Sequence, residues 1–142
     1  GGNLDTVNIA EGAEIYLPVF VSGANLALGD IHAIMGDGEI CGTGVEIRAE
    51  VDIEIEICKS WQLSIPVIKT KESYFFVGSG RIVEEAIYIT AEEAVRFIQD
   101  RNNLSWTEAY MMASIATDLL FSQVVNPLKT VRIDIPRKII DE

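Results

Sequence analysis

A single histidine lies among carboxylates and glycines near the start of the chain. His32 is the only histidine in the sequence, and it lies between Asp30 on one side and Asp37 and Glu39 on the other. Glycines flank these residues and let the backbone bend tightly. One imidazole and several hard carboxylate oxygens are the donors of a divalent metal site or of an acid–base site. We therefore expect any chemistry of this chain to be centred on residues 29–39.

The spacing within this segment pairs the candidate side chains. Residues two apart point to the same side of an extended backbone, so Asp30 and His32 could share one ion. Asp37 and Glu39 repeat that offset and could complete a carboxylate-rich site. Asp37 has a second interpretation, because an Asp between two glycines is also typical of a turn in which the side chain bonds the backbone. The sequence leaves both interpretations of Asp37 open.

The element that must position this segment follows it directly. From Val45 to Ile57, apolar residues alternate with charged, mostly acidic ones. A period of two predicts a strand with one buried and one solvated face. We expect the acidic face to be ordinary solvated surface. Glu46 is the exception, because it lies nearest to the histidine segment and is a further candidate site residue.

The remaining pattern predicts more strands and then a late pair of helices. Two capping boxes, at Thr90–Glu93 and at Ser105–Glu108, predict helices that run to about Arg101 and about Ser122. A turn is predicted at 78–80. Strands are predicted at 14–21, 65–69, 74–77, 85–89 and 131–135. This order indicates an α+β fold, β-rich, with a mainly antiparallel sheet and the late pair of helices on one side of it.

Composition restricts the class of protein. The 142 residues fit a single domain, 1–142, and 49% hydrophobic residues argue for a folded core. The net charge of −11 disfavours nucleic acid and anionic membranes as partners. Cys41 and Cys58 lie far apart, which argues against a disulfide scaffold and fits a reducing compartment. Together these features predict a cytoplasmic protein with no membrane partner.

Three stretches of the sequence resemble the acetamidase/formamidase family. They are GGNLD at 1–5, YLPVFVSGANLALGDIHAIMGDGEICGTGVE at 16–46 and DLLFSQVVNPLKTVRIDIPR at 118–137. The central pattern GDxHAxxGDGE is specific, and the match runs nearly from end to end. Met35 departs from the family pattern, which commonly has Gln there. The chain resembles the carboxy-terminal half of a family member.

The resemblance implies an enzyme that hydrolyses short-chain amides, such as formamide and acetamide, to a carboxylate and ammonia. It also implies a β-rich hydrolase that associates into oligomers and binds a divalent metal, zinc or calcium. The family chain is longer, with an amino-terminal half that would precede Gly1. The expected partners are therefore a small amide substrate and either further copies of the chain or a complementary amino-terminal half.

The chemistry and spacing of the candidate residues, supported by this resemblance, suggest their roles. His32, Asp30 and Asp37 are the expected metal ligands, with Glu39 and Asp37 as the expected catalytic groups. Glu39 is the candidate general base, because a desolvated Glu near a cation can be tuned for proton transfer. The mixed nitrogen and oxygen donors suit zinc, manganese or calcium. Further candidates are Asn3, Asp5 and Glu46.

Other interpretations stay open. The chain could be a non-catalytic carboxy-terminal module that supplies half a site, or an oligomerisation surface, to a missing half. It could be a calcium-binding structural domain, although the acidic spacing does not fit an EF-hand loop. A Cys41 nucleophile would have His32 as its only histidine base, and a small buried structural cysteine is the favoured interpretation of Cys41.

Overall fold

The computed structural model describes residues 4–141, and within them it contains strands followed by two α-helices and a last hairpin. Asn3, one of the candidate site residues, lies outside this range. The elements are β1 Glu14–Tyr16, β2 His32–Ile34, β3 Val45–Glu46, β4 Val67–Lys69, β5 Ser73–Gly80, α1 Val83–Asn102, α2 Trp106–Ala116, β6 Asp118–Gln123, β7 Lys129–Pro136 and a 3-10 turn at Arg137–Ile139.

The main sheet has the strand order β1-β4-β5-β7-β6, and each neighbouring pair is antiparallel. A separate two-stranded hairpin is formed by β2 and β3. The α+β class, the antiparallel sheet and the late pair of helices are confirmed. No helix within residues 4–141 is both long and apolar enough to cross a membrane.

The core lies on both faces of the central strand β5. Phe76 points toward the helices and packs with Phe97 of α1, with ring centroids 5.0 Å apart. Phe75 and Val77 point to the other face, where they form a smaller cluster with Ile68. Because both faces are covered, β5 is an almost continuous apolar run and not an alternating one.

The helix α1 begins earlier than the capping pattern predicts. The strand predicted at 85–89 is wrong, because these residues form part of α1. Thr90 is not an N-cap; it is buried inside the helix, and its hydroxyl donates to the Ala86 carbonyl oxygen at 2.6 Å. The turn predicted at 78–80 is also wrong, because Gly78 lies in β5 where a Cβ would collide with Thr90. Glycine is needed there for the helix to pack closely on the strand, and turn formation is not its role.

The capping box at the second helix is confirmed. The Ser105 hydroxyl accepts from the Glu108 N–H at 3.4 Å, and the Glu108 carboxylate accepts from the Ser105 N–H at 2.8 Å. The helix ends at Ala116, earlier than predicted, because residues 118–123 pair with β7 as the edge strand β6. Tertiary pairing overrides the helical pattern in this segment.

The predicted long strand is mostly unpaired. Only Val45–Glu46 forms a strand, and Ile53, Ile55 and Ile57 are exposed by 54%, 70% and 86%. The prediction that one face of this strand is buried is therefore wrong for the described residues. The strand predicted at 14–21 also shortens to β1, because Pro18 has no N–H to donate to a neighbouring strand.

Candidate metal centre

The β2–β3 hairpin gathers three of the candidate side chains. His32 is directly opposite Glu46 in the strand register, and Asp30 lies two residues before His32. One ligand atom from each of Asp30, His32 and Glu46 lies within 4.8 Å of the others. The His32 Nε2 atom is 3.5 Å from the Asp30 Oδ1 atom. Glu46, a secondary candidate in the sequence, is therefore a full member of this group.

The Nε2 atom of the His32 imidazole has no hydrogen-bond partner within residues 4–141. The His32 side chain is 11% exposed, and Nε2 is buried without a partner among the residues that the structure describes. Buried polar atoms are nearly always satisfied, so an orphaned nitrogen beside two carboxylates needs an explanation. Asp30 is more open, with its side chain 53% exposed. A cation held by these residues would satisfy the nitrogen and could still meet solvent.

Gly44 lets the hairpin close around the histidine. A Cβ on residue 44 would lie 2.7 Å from the Ile34 carbonyl oxygen and 3.0 Å from His32 Cγ. Ordinary carbon contacts begin about half an ångström farther out, so only glycine fits without a shift. Sequence reasoning missed this role, although Gly44 stands two residues before Glu46 in the matched motif.

Asp37 lies outside the group of Asp30, His32 and Glu46. Both of its carboxylate oxygens accept hydrogen bonds from Arg132 Nη2, each at 2.9 Å. The Arg132 side chain is 3% exposed and also donates to the Phe121 carbonyl oxygen. Asp37 lies in a turn, as one interpretation predicted, and the Glu39 N–H donates to the Gly36 carbonyl oxygen across it at 3.2 Å. Its side chain, however, bonds Arg132 and not the backbone, so the carboxylate is an ion-paired anchor of the glycine loop, which neither interpretation anticipated.

The loop that carries Asp37 and Glu39 is fixed to the end of β6. The Gly38 N–H donates to the Ser122 carbonyl oxygen at 3.1 Å, and the Val124 N–H donates to the Gly38 carbonyl oxygen at 3.0 Å. Gly38 has φ of 90°, which glycine adopts without strain. These bonds join the second and third matched stretches of the sequence across the fold.

Glu39 is a buried carboxylate beside the metal candidates. It is 7% exposed, with a left-handed φ of 44°. Burial raises the pKa of the Glu39 carboxyl above its usual value, and the negative charge of Asp5 raises it further, while His32 acts to lower it. The predicted desolvation of Glu39 is thus present. Its part as general base stays a prediction.

The structure also locates Asp5 and the two cysteines. Asp5 accepts a hydrogen bond from the Asn126 side-chain amide at 2.6 Å, so it ties the start of the described chain to the loop after β6. Cys41 is exposed, and its thiol donates to the Thr43 carbonyl oxygen at 3.4 Å. The expectation that Cys41 is buried is wrong, because the loop that carries it lies on the surface. Cys58 is exposed as well.

The chain is similar in sequence and fold to proteins named as acetamidases or formamidases. The acetamidase of Mycolicibacterium smegmatis is 44% identical over 61 residues, which are 42% of this chain and 15% of that protein. A crystal structure of a predicted acetamidase/formamidase from Thermoanaerobacter tengcongensis is 43% identical and superposes with a TM-score of 0.94, over 99% of this chain and 47% of that one. The acetamidase of Bacillus halodurans is 42% identical with a TM-score of 0.94, over 99% and 48%.

These solved relatives are about twice as long as the matched chain, which spans 47% and 48% of them. The model of the acetamidase/formamidase family matches residues 1–142. Because that match runs over the whole sequence, the chain belongs to the acetamidase/formamidase family.

Proposed function

We propose that this chain carries the metal-binding part of an enzyme that hydrolyses short-chain amides to a carboxylate and ammonia. Membership of the acetamidase/formamidase family and the acetamidase of Bacillus halodurans support the amide as substrate. The observation that supports the metal is the buried Nε2 of His32, which has no hydrogen-bond partner in the described part of the chain and lies beside the carboxylates of Asp30 and Glu46.

These residues fit a divalent ion by their chemistry. Imidazole nitrogen and carboxylate oxygen are both zinc ligands, and a catalytic zinc site holds three protein ligands and keeps one position open, although such sites typically have more than one nitrogen or sulfur donor. The oxygen donors also suit calcium, although calcium usually takes six or more oxygens. Asp30, His32 and Glu46 would hold the ion. When bound, a divalent ion acidifies water and polarises an amide carbonyl.

Glu39 would handle the protons of the reaction. Hydrolysis adds water across the C–N bond, so one proton must leave the attacking water and one must reach the departing nitrogen. The Glu39 carboxylate, with its raised pKa, is suited to take the first proton and to pass it to the amide nitrogen. The carbonyl carbon gains the hydroxyl, and the nitrogen leaves as ammonia.

The loop anchors would keep Glu39 in place for this role. The Arg132–Asp37 ion pair lies two residues before Glu39, and the Gly38 backbone bonds lie next to it. A general base must stay within hydrogen-bond reach of the proton that it abstracts, so a fixed loop serves the reaction. Asp37 would thus act on the reaction through Glu39.

The test separates metal binding from hydrolysis. The purified chain and its His32→Ala variant are equilibrated with zinc or with calcium, and the bound metal is measured by elemental analysis after desalting. We expect about one ion per wild-type chain and a loss in the variant. Asp52→Asn is the matched control, because it removes an exposed acid far along the 47–57 segment. Equal metal content in all three proteins would overturn the site.

Activity is measured on the same chain and on a hybrid protein. In the hybrid, this chain replaces the matching 48% of the Bacillus halodurans acetamidase. Ammonia release from acetamide and formamide is expected in the hybrid and is expected to fall by at least about 100-fold in its Glu39→Gln variant. A wild-type hybrid that folds and binds metal, yet releases no ammonia from either amide, would contradict the proposed reaction.

A further inference from the structure

The segment 47–57, called here the acidic arm, has the surface of a strand without a neighbour. Its odd-numbered side chains are all apolar, and the isoleucines and Val51 among them are exposed by 48% to 86%. Near its start, the Ile47 N–H donates to the Ile31 carbonyl oxygen at 3.0 Å. Beyond that bond the backbone groups of the arm have no partner within residues 4–141, and its apolar face is open, which proteins rarely allow.

The arm is part of the fold that this chain shares with its solved relatives. The match to the Bacillus halodurans acetamidase covers 99% of this chain at a TM-score of 0.94, so the arm is included in it. That protein contains about as many residues again as this chain matches. An extended apolar segment keeps one conformation only if something packs against it or pairs with it. The additional residues of the longer chain are available for that purpose.

Charge argues against a second copy of the arm as the paired strand. In an antiparallel pair, opposite residues share a face, so apolar must meet apolar and charged must meet charged. The charged face carries acids at 50, 52, 54 and 56 and one base, Arg48. A self-paired arm would set acid opposite acid in any register that overlaps most of its length. Like charges directly opposite are destabilising, and the net charge of −11 adds to the repulsion.

We infer that the acidic arm is the docking edge for a strand of different sequence, supplied by the part of the longer family chain that lies outside this one. The docked strand carries apolar residues on one face and basic or uncharged residues on the other. Backbone hydrogen bonds along the arm hold it, as in other cases of strand addition. Because the arm continues directly from Glu46, the docked strand runs beside the candidate metal centre. The inference does not depend on whether that centre binds a metal.

Hydrogen exchange followed by mass spectrometry tests the inference. Two proteins are compared: this chain alone, and the hybrid in which it is joined to the rest of the Bacillus halodurans acetamidase. We expect the amides of 49–57 to exchange freely in the chain alone and to slow by at least about 100-fold in the hybrid. The amides of β7 are the internal control, since they are paired within this chain and should be protected in both.

A matched pair of variants locates the docking face. In the hybrid, Ile53→Lys should return the arm to fast exchange while β7 stays protected. Glu11→Gln, an exposed acid outside the arm, should leave the protection unchanged. If the hybrid also loses protection in β7, the two parts are supplied as separate chains and the same amides are measured on mixing.

Two outcomes would overturn the inference. One is fast exchange of the arm in a hybrid whose β7 amides are protected, since the rest of the longer chain would then not cover it. The other is protection of the arm in this chain alone that increases with protein concentration, because a second copy would then be the occupant. Loss of metal binding in His32→Ala changes neither outcome, so this test and the test of the proposed function fail separately.

Discussion

Arg132, in the middle of β7, donates two hydrogen bonds of 2.9 Å to the carboxylate of Asp37, 95 residues earlier in the chain. The guanidinium is almost fully buried, whereas the Asp37 side chain is 43% exposed. The pair therefore joins the interior of the main sheet to the glycine loop that carries Glu39. It fixes the position of that loop more firmly than the loop sequence alone could.

Asp37→Asn should lower the free energy of unfolding by about 1–2 kcal/mol. Removing one partner of a fully buried pair costs about 3–5 kcal/mol, and the exposure of Asp37 to water reduces that cost. The measurement is urea denaturation at neutral pH. Asp52→Asn on the exposed arm is the control and should change stability by less than about 0.5 kcal/mol. Equal stabilities of the two variants would mean that the ion pair contributes nothing.

Because the pKa of Glu39 is raised, the Glu39→Gln variant should be more stable than the wild type by an amount that depends on pH. A carboxyl whose pKa is higher in the folded than in the unfolded chain stabilises the fold most below its unfolded value, here near 4.5. That contribution is lost as the pH rises through the folded pKa. At pH 7 the wild type therefore bears the cost of a buried charge, and Glu39→Gln should be the more stable protein.

The comparison is made in a chelating buffer, so that no bound ion compensates the charge of Glu39. The difference in unfolding free energy between Glu39→Gln and wild type should be largest at pH 7 and should vanish below pH 4.5. Glu54→Gln, on the exposed arm, should show no such trend. A Glu39→Gln variant that is less stable than wild type at pH 7 would show that the carboxylate makes favourable contacts in the folded chain.

The sequence-based predictions succeeded where the interacting residues are close in the chain and failed where they are distant in it. The capping box of Ser105 and Glu108 depends on residues three apart, and it formed as predicted. The same kind of pattern at Thr90 failed, because its side chain packs under Gly78 of a strand that precedes the helix. The local sequence predicts the start of a helix at both Thr90 and Ser105, and only tertiary packing distinguishes the two sites.

At the candidate site too, predictions from residues close in the chain succeeded and long-range contacts were missed. Asp30 and His32 are two residues apart, and their ligand atoms lie near each other, as the spacing indicated. The reason differs from the predicted one, because Asp30 has a left-handed φ of 61° and the backbone there is not extended. The partner of Asp37 could not be found in this way, because Arg132 reaches it from the far end of the chain. The arm failed differently: its alternation correctly marks an extended segment, but burial of its apolar face needs a neighbour that the described residues do not contain.

Gly44→Ala should weaken metal binding without unfolding the main sheet. The added methyl would meet the Ile34 carbonyl oxygen and the His32 ring, so the hairpin must open and turn the imidazole away from Asp30 and Glu46. A disturbed ligand orientation typically costs about 10–100-fold in metal affinity. Zinc titration with a competing chelator measures the loss. Gly36→Ala is the control, because its Cβ would meet nothing within 4 Å; an equal loss in both variants would rule out the steric reason.

The Gln123 side chain holds the loop after β6 together, and a substitution at this position tests that role. Its amide nitrogen donates to the Leu128 carbonyl oxygen at 2.7 Å and to the Thr130 hydroxyl at 2.9 Å, while its oxygen accepts from the backbone N–H groups of Val125 and Asn126. Gln123 is 1% exposed, so water cannot replace these partners. A carboxylate at 123 would keep the accepting side and place a second acceptor against the Leu128 carbonyl oxygen.

Gln123→Glu should therefore cost about 2–4 kcal/mol at pH 7, since it leaves buried groups unsatisfied and buries a charge. Protonation restores a donor, so the pKa of the new carboxyl should be raised in the folded chain and the cost should shrink as the pH falls through that pKa. Urea denaturation of wild type and variant at pH 7 and pH 5 measures both effects. Gln62→Glu makes the same change on the surface and should be neutral at either pH. A cost for Gln123→Glu that is the same at both pH values would mean that the lost packing of the loop, and not the missing donor, destabilises the variant.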